Sequence, residues 1–216
     1  MKLIRARDHA LSTNRHLGNL EEEFLVEVSS VRRGGAWFSA AFNEDGKLMA
    51  CSFSDRTRTE AEKSVRHSLS SKAQKILNGH RAGSWSFREL YAFYIGKGKR
   101  INTNVLDLSN VSDFRNKVYE VLLRIPRGKV TTYGAIAKRL GGKRYARAVG
   151  TAVATNPFPL IVPCHRVVPV SLRVGNYGMG GREPSTGGYM KRRLLELEGV
   201  RFQGEKVSKQ SIWKPN

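Results

Sequence analysis

Cys164 and His165 are the side chains best suited to carry chemistry in this sequence, and they stand together in the run Pro163-Cys164-His165-Arg166-Val167. A free thiol has a pKa of about 8.5, so it needs a neighbouring base or positive charge to become a good nucleophile. A histidine and an arginine follow at once. The run therefore predicts a nucleophilic cysteine, although a free cysteine is more often an inert core residue, and the rest of the sequence must decide between the two.

The segment before Cys164 is suited to hold the sulfur in a fixed position. Residues 160–162 are a short apolar run, Leu-Ile-Val, which favours burial of the backbone there. Pro157, Pro159 and Pro163 stiffen the approach and remove hydrogen-bond donors. We therefore expect a rigid, buried turn that ends at the cysteine.

Charge is the strongest signal in the composition. The 216 residues are 40% hydrophobic, which predicts a folded protein, and carry 38 Lys and Arg against 18 Asp and Glu, for a net charge of +20. Residues 112–216 hold 20 of the basic and 6 of the acidic residues. This excess predicts a polyanionic partner, with RNA, DNA or anionic lipid open on charge alone, or else a charged solubilising surface.

Several classes of protein are disfavoured. No apolar run approaches the roughly 18 residues of a membrane span, and the first residues lack the apolar core of a secretion signal. We therefore expect that the protein does not associate with a membrane. We also expect it to be intracellular, either cytoplasmic and associated with the nucleoid or, in a eukaryote, nuclear. Two cysteines, Cys51 and Cys164, fit neither a disulfide framework nor a zinc pair. We expect no metal and no cofactor.

The first half of the chain reads as a small α/β unit. Residues 23–30, 36–42 and 47–53 are short apolar runs separated by turn residues, which predicts an antiparallel meander. Apolar positions at helical spacing from Arg58 to Leu77, with Gly79 as a cap, predict a helix lying on that sheet. Residues 85–96 are aromatic-rich and ambiguous between helix and strand. The polar stretch 96–112 predicts a connection, which divides the chain near Asp107 into residues 1–106 and 107–216.

The second half reads as mostly helical. Ser112 can cap a helix that ends near Ile125 before a proline, and Thr131 or Thr132 can cap a second helix that a glycine pair, 141–142, ends. A third helix spans 145–155. The last two are compatible with a DNA-binding helix-turn-helix or with a packed helical hairpin, and the basic surroundings favour DNA.

Six blocks of residues in this half, in order and at compatible spacing, resemble the O6-alkylguanine-DNA alkyltransferases over residues 112–200. The blocks are Ile125-Pro126-x-Gly128-x-Val130-x-Thr132-Tyr133-x-x-Ile136-Ala137, Arg147-Ala148-Val149-Gly150, Asn156-Pro157, Pro163-Cys164-His165-Arg166-Val167, Gly175-Asn176-Tyr177 and Leu194-Leu195-x-x-Glu198-Gly199. The resemblance implies a two-domain α/β fold, with a ribonuclease-H-like N-terminal α/β domain and a mostly helical C-terminal domain that carries the helix-turn-helix.

The resemblance implies direct-reversal repair, in which Cys164 irreversibly takes the alkyl group from O6 of guanine in duplex DNA after the nucleotide flips out of the helix. His165 would draw the thiol proton through a water, and Glu198 would orient that histidine. Asn156, which could otherwise be a helix stop, would brace the turn. Tyr133, which could otherwise be a core aromatic, would assist the departing guanine and crowd its phosphate.

Further residues follow from the same resemblance for binding. Arg147 would fill the gap left by the flipped base. Ala148, Gly150 and Ala152 would line the helix against the minor groove. Substrate-pocket walls would come from three residues, namely Tyr177, Val174 and Val167. The expected partner is double-stranded DNA containing O6-alkylguanine, bound by a monomer.

One segment departs from the family pattern: the stretch 178–190 contains more residues than the corresponding stretch of the family. Within it, Gly178 stands where many members have a serine that contacts the base. Two other functions compete with alkyl transfer. A sensor that binds alkylated DNA without repairing it resembles family relatives that lack the cysteine, so Cys164 argues against it. A cysteine hydrolase would leave Arg147, the paired helices and the charge unexplained.

Overall fold

A four-stranded sheet forms the N-terminal part of the fold in the computed structural model, which describes residues 25–69, 75–78, 87–99, 101–178 and 184–215. Its strands are β1 (Leu25–Arg33), β2 (Ala36–Phe42), β3 (Leu48–Ser54) and β4 (Lys75–Asn78), in the order β3-β2-β1-β4. The first three are antiparallel, which confirms the predicted meander, and β4 is parallel to β1. The positive φ of Gly34 and Gly35 permits the tight β1–β2 turn.

The predicted helix from Arg58 to Leu77 is wrong in its second half. Helix α1 (Arg58–Ser68) is capped by Thr57, whose side chain accepts a hydrogen bond from the Glu60 backbone N–H, but it ends before extended Leu69. Lys75–Asn78 is instead strand β4, and Gly79 lies outside the described residues. Apolar residues at 76 and 77 fit either a helix or a buried strand, and pairing with β1 decides in favour of the strand.

Both faces of the sheet are covered. Val65 of α1 packs with Val28, Ala41 and Ala50 on one face, as predicted for a helix lying on the sheet. On the other face lies α2 (Phe87–Tyr94), which resolves the ambiguous aromatic stretch as a helix. Tyr94 makes edge-on ring contacts with Phe38 and Phe53. The aromatic cluster therefore serves core packing.

The remaining chain is mostly helical, with α3 (Asp113–Arg124), α4 (Tyr133–Arg139), α5 (Ala146–Ala154) and α6 (Pro184–Leu197). Short strands β5 (Thr131–Thr132) and β6 (Val167–Val168) pair in parallel, and β7 (Phe202–Gln203) and β8 (Lys206–Val207) form a hairpin. The predicted start of α4 is confirmed, since the Thr132 side chain accepts a hydrogen bond from the Ala135 N–H. Ser112 precedes α3 as predicted, but its side chain makes no capping hydrogen bond.

The free edge of β3 forms backbone hydrogen bonds with later parts of the chain. The Asp107 N–H donates to the Leu48 carbonyl, and the Cys51 N–H donates to the Pro157 carbonyl, both at 2.8 Å. Buried side chains form one continuous apolar cluster from the sheet into the helices. Pro157 stands in the turn that leads to Cys164, so this sheet edge holds the segment that carries the candidate nucleophile.

Candidate active site

The turn before Cys164 is buried and held by its own hydrogen bonds. Residues 157–163 are buried throughout. The Asn156 side chain donates to the Val162 carbonyl at 2.9 Å, and its oxygen accepts from the Phe158 N–H at 3.0 Å. Leu160 has a φ of 73°, an uncommon conformation that the surrounding contacts maintain. The expected rigid turn is therefore present.

Cys164 begins a short 3₁₀ turn and is 6% exposed. Burial raises the pKa of its thiol, whereas the Asn156 hydrogen bond and the positive charge of Lys191 lower it. The Asn156 amide nitrogen lies 3.1 Å from Sγ. Burial has the larger effect, so the thiol needs a base before it can act as a nucleophile.

His165, the residue after Cys164 in the sequence, forms a buried pair with Glu198. His165 Nε2 lies 3.0 Å from Glu198 Oε1, with side chains that are 2% and 6% exposed. The Nδ1 atom of His165 is buried and has no hydrogen-bond partner among the described residues. The carboxylate therefore fixes the orientation of the imidazole ring.

Arg166 also binds this glutamate. Its Nε donates to Glu198 Oε2 and its Nη2 to Oε1, both at 2.7 Å, and its Nη1 donates to the Ile125 carbonyl at 2.8 Å. Burial alone raises the pKa of Glu198, but the charges and hydrogen bonds of His165 and Arg166 outweigh it and lower this pKa to about 2. Glu198 is therefore a carboxylate at neutral pH. The sequence interpretation counted Arg166 only as a positive charge near the cysteine, and its contact with Glu198 was not predicted.

Lys191 is a second residue that the sequence interpretation missed. It is 1% exposed, and its Nζ donates to the Val167 carbonyl at 2.7 Å. Burial lowers its pKa to about 8, against the opposite effect of the Cys164 thiolate. Lys191 lies in α6, and Glu198 directly follows the last residue of this helix, seven positions later. Two helical turns place both side chains near one face, so the segment that positions the glutamate also positions the lysine.

The predicted pocket residues lie in different environments. Tyr177 is buried, and its ring lies edge-on to His165 with centroids 6.3 Å apart. Its hydroxyl has no partner that meets hydrogen-bond geometry within the described segments, but it is close enough to Cys164 to affect the thiol pKa. Val174 is partly buried and Val167 fully buried. Of the long segment 178–190, residues 179–183 lie outside the described residues, and 184–190 open helix α6.

The predicted DNA-facing residues lie at the start of α4 and along α5, two helices that pack together. Tyr133 is the first residue of α4. Burial raises the pKa of its hydroxyl, and the charge of Cys164 raises it further, so this tyrosine lies within electrostatic range of the sulfur. On α5, Arg147 and Ala148 are exposed and Gly150 is partly exposed.

Ala152 corrects the sequence prediction. We expected this residue to line the DNA-facing surface, but it is 1% exposed and belongs to the apolar core. It lies four residues after Ala148, and the slight rotation between these positions is enough to turn it toward the protein. Ala152 therefore helps to pack α5, and the exposed surface of α5 consists of other residues.

Two absences apply to the described part of the chain. Within it, no group of three or more His, Cys, Asp and Glu side chains could hold a metal ion. In the same segments, no helix combines the length and apolar character needed to cross a bilayer.

Comparisons with known proteins agree on one class. A family model described as 6-O-methylguanine DNA methyltransferase, DNA binding domain, matches residues 113–200. A methylated-DNA–protein-cysteine methyltransferase of Mycobacterium tuberculosis is 40% identical over 120 residues, which are 56% of this chain and 67% of that protein. A protein with the same name in Methanothermobacter thermautotrophicus is 38% identical over 102 residues, 47% of this chain and 53% of its own length. The chain thus spans about half of one relative and two thirds of the other.

A solved structure extends the similarity to the fold. The crystal structure of Mycobacterium tuberculosis OGT in complex with DNA has a TM-score of 0.59 and 29% sequence identity, covering 80% of this chain and 92% of that one. The fold and the site thus define an α/β protein with a buried cysteine next to a histidine that pairs with a glutamate. The chain belongs to the methylated-DNA–protein-cysteine methyltransferase family.

Proposed function

We propose that this protein repairs DNA by direct reversal, moving the alkyl group of O6-alkylguanine in duplex DNA onto Cys164. The observation that carries the proposal is the thiol itself, fixed by Asn156 at 3.1 Å and adjacent in sequence to a histidine that pairs with a buried carboxylate. A permanent thioether leaves no route back to the thiol, so each molecule acts once. A DNA-containing compartment is the place for such a protein, and it acts as a monomer.

The proposed reaction is an attack by the Cys164 sulfur on the alkyl carbon. The S–C bond forms as the bond between that carbon and O6 breaks, and guanine leaves with the electron pair. Glu198 is ionised, so His165 Nε2 donates to it and Nδ1 is the acceptor that takes the thiol proton through a water. Tyr133 gives a proton toward the departing guanine. Lys191 offsets part of the unfavourable burial of the thiolate.

Access to O6 requires the nucleotide to leave the stack, because an atom inside the duplex cannot meet a buried sulfur. We assign α4 and α5 as a helix-turn-helix that docks in the minor groove, with Arg147, Ala148 and Gly150 on the DNA side. Arg147 fills the gap, and Tyr133 crowds the phosphate of the flipped nucleotide. Tyr177, Val174 and the main chain near Val167 then enclose the base.

We further propose that the chain divides into two domains near Asp107. Residues 1–106 form the N-terminal α/β domain, and 107–216 form the alkyltransferase domain. The strand order β3-β2-β1-β4, with β4 parallel to β1, supports a ribonuclease-H-like arrangement for the first domain. Its part in the chemistry is to hold the turn at Pro157 through the edge of β3.

The test is intact mass and peptide mapping after the protein is mixed with a duplex that carries one O6-methylguanine. We expect one added methyl group, on Cys164, and at most one repaired base per protein. Cys164→Ser should bind the duplex without gaining mass, and the matched control Cys51→Ser should react normally. A protein that binds the lesion but gains no mass would replace repair by damage sensing, and many repaired bases per protein would indicate a true hydrolase.

A further inference from the structure

A groove of about 630 Å³ lies beside the start of α4, and the mechanism above does not use it. One wall is Thr132, the residue before Tyr133. The other is the C-terminal segment, which is fixed in place: the Val130 N–H donates to the Ser211 carbonyl at 2.8 Å, and the Trp213 N–H donates to the Val130 carbonyl at 2.7 Å. This segment therefore runs alongside the strand that leads into α4.

The chemistry of the groove is apolar at its base and positive at its rim. Ile212 and Trp213 are partly exposed within it, and Val170 projects with 90% exposure. Lys209 and Lys214 stand at the rim, both exposed, and neither forms an ion pair with a carboxylate in the described part of the chain. Among the residues that the structure describes, no acidic side chain lines the groove. Such a surface suits a ligand with negative charges spaced along an apolar edge.

We propose that this groove binds the DNA strand that flanks the flipped nucleotide, with phosphates at Lys209 and Lys214 and a sugar and base edge against Val170 and Trp213. The inference rests on the proposed function. Two observations select DNA as the occupant: Thr132, which lines the groove, immediately precedes Tyr133, and the rim has the charge that complements a phosphate backbone. A second copy of this chain is a poor occupant, because two molecules of net charge +20 repel each other.

The groove would add affinity without adding sequence preference. A phosphate contact with lysine releases counterions, and each such contact changes the slope of log K against log salt by about 0.9. Stacking on an aromatic ring is also tolerant of base identity. We therefore expect the groove to strengthen binding to damaged and undamaged DNA alike and to anchor the strand while the neighbouring nucleotide is turned out.

The test compares a double variant, Lys209→Gln with Lys214→Gln, against the wild type and a control double variant, Lys47→Gln with Lys63→Gln, in which two exposed lysines are lost elsewhere. Fluorescence anisotropy with labelled duplexes gives Kd across a salt series. We expect the groove variant to lose about tenfold in affinity at low salt and its slope to fall by about 2. The control should show smaller changes in both, and duplexes trimmed to remove the flanking strand should bind wild type and groove variant equally.

Failure of this inference can be told apart from failure of the repair function. Transfer of the alkyl group from a soluble O6-alkylguanine base needs no DNA surface. Cys164 of the groove variant should therefore be alkylated by this base at the wild-type rate. If wild type takes no alkyl group from either duplex or soluble base, the repair function is wrong. If wild type repairs DNA but the groove and control variants share one Kd and one salt slope, the groove does not bind DNA. Quenching of fluorescence by DNA should also be weaker in Trp213→Phe, and equal quenching would remove Trp213 from the contact.

Discussion

Replacing Glu198 by Gln keeps the shape of the side chain and removes the charge that His165 and Arg166 share. In the folded protein the pKa of Glu198 falls from its usual 4.5 to about 2. Through linkage, this difference corresponds to about 3.4 kcal/mol of stability at pH 7. Mutations that break buried ion pairs elsewhere cost 3–5 kcal/mol, which agrees with about this size of loss. We expect Glu198→Gln to lower the free energy of unfolding by about 3 kcal/mol at pH 7.

The pH dependence gives this prediction its sharpest form. Because the folded pKa is depressed, the contribution is complete above the unfolded pKa of 4.5 and is lost as the pH falls toward 2. At pH 3.5 about 2 kcal/mol of it remains in the wild type. The stability difference between wild type and Glu198→Gln should therefore shrink by about 1.4 kcal/mol between pH 7 and pH 3.5.

Urea unfolding followed by tryptophan fluorescence measures this difference at each pH. Glu196→Gln is the matched control two residues earlier in the chain, since Glu196 forms an exposed pair with Arg192 at 2.8 Å and its side chain is 50% exposed. The control should change stability by less than about 1 kcal/mol. A loss in Glu198→Gln that is equally large at pH 7 and pH 3.5 would refute the assignment of this carboxylate as the charged centre of the cluster.

Three further predictions concern the thiol, the pocket helix and the DNA surface. Lys191→Met removes a positive charge near Cys164 and should move the pH profile of Cys164 labelling by iodoacetamide to higher pH; an unchanged profile would mean that the lysine does not act on the thiol. A Cβ at Gly187 would clash with the backbone oxygen of Tyr177, so Gly187→Ala should cost on the order of 2 kcal/mol in urea unfolding. At Gly188 the nearest atom is 3.7 Å away, and Gly188→Ala should instead stabilise the helix by up to about 1 kcal/mol; equal effects would contradict this packing. Arg147→Ala should keep normal transfer from a soluble alkylguanine base but repair duplex DNA more slowly in single-turnover kinetics, and equal duplex rates would remove Arg147 from nucleotide flipping.

The parts of the fold that sequence predicted correctly are those with local signals. Thr132 caps α4 through a hydrogen bond within its own first turn, and Pro126 sets the end of α3, so short stretches of chain decide both boundaries. The prediction of one helix from Arg58 to Leu77 was wrong because the structure of its second half depends on pairing with a strand that is distant in sequence. Lys75–Asn78 becomes a strand by pairing with β1, fifty residues earlier in the chain, and no local pattern encodes that pairing.

The burial of single side chains was likewise beyond local pattern. Ala148 and Ala152 are four residues apart on α5, a spacing that places two side chains near the same face of a helix, yet Ala148 is exposed and Ala152 is in the core. Lys191 belongs to a residue type that is almost never fully buried, so composition argued against its position in the site. Both outcomes depend on how α5 and α6 pack against the rest of the molecule.

The reactive residue types, their order and the family follow from the sequence, because Cys164, His165 and the short blocks around them are contiguous in the chain and have a characteristic spacing. Tertiary structure alone decided how those groups are tuned. It brings Glu198 to His165 and Arg166 across more than thirty residues, places Lys191 against the Val167 carbonyl, and fastens the turn at Pro157 to the edge of β3. The physical reason is that pKa values and rigidity depend on distance and burial, and these are set by packing between remote parts of the chain.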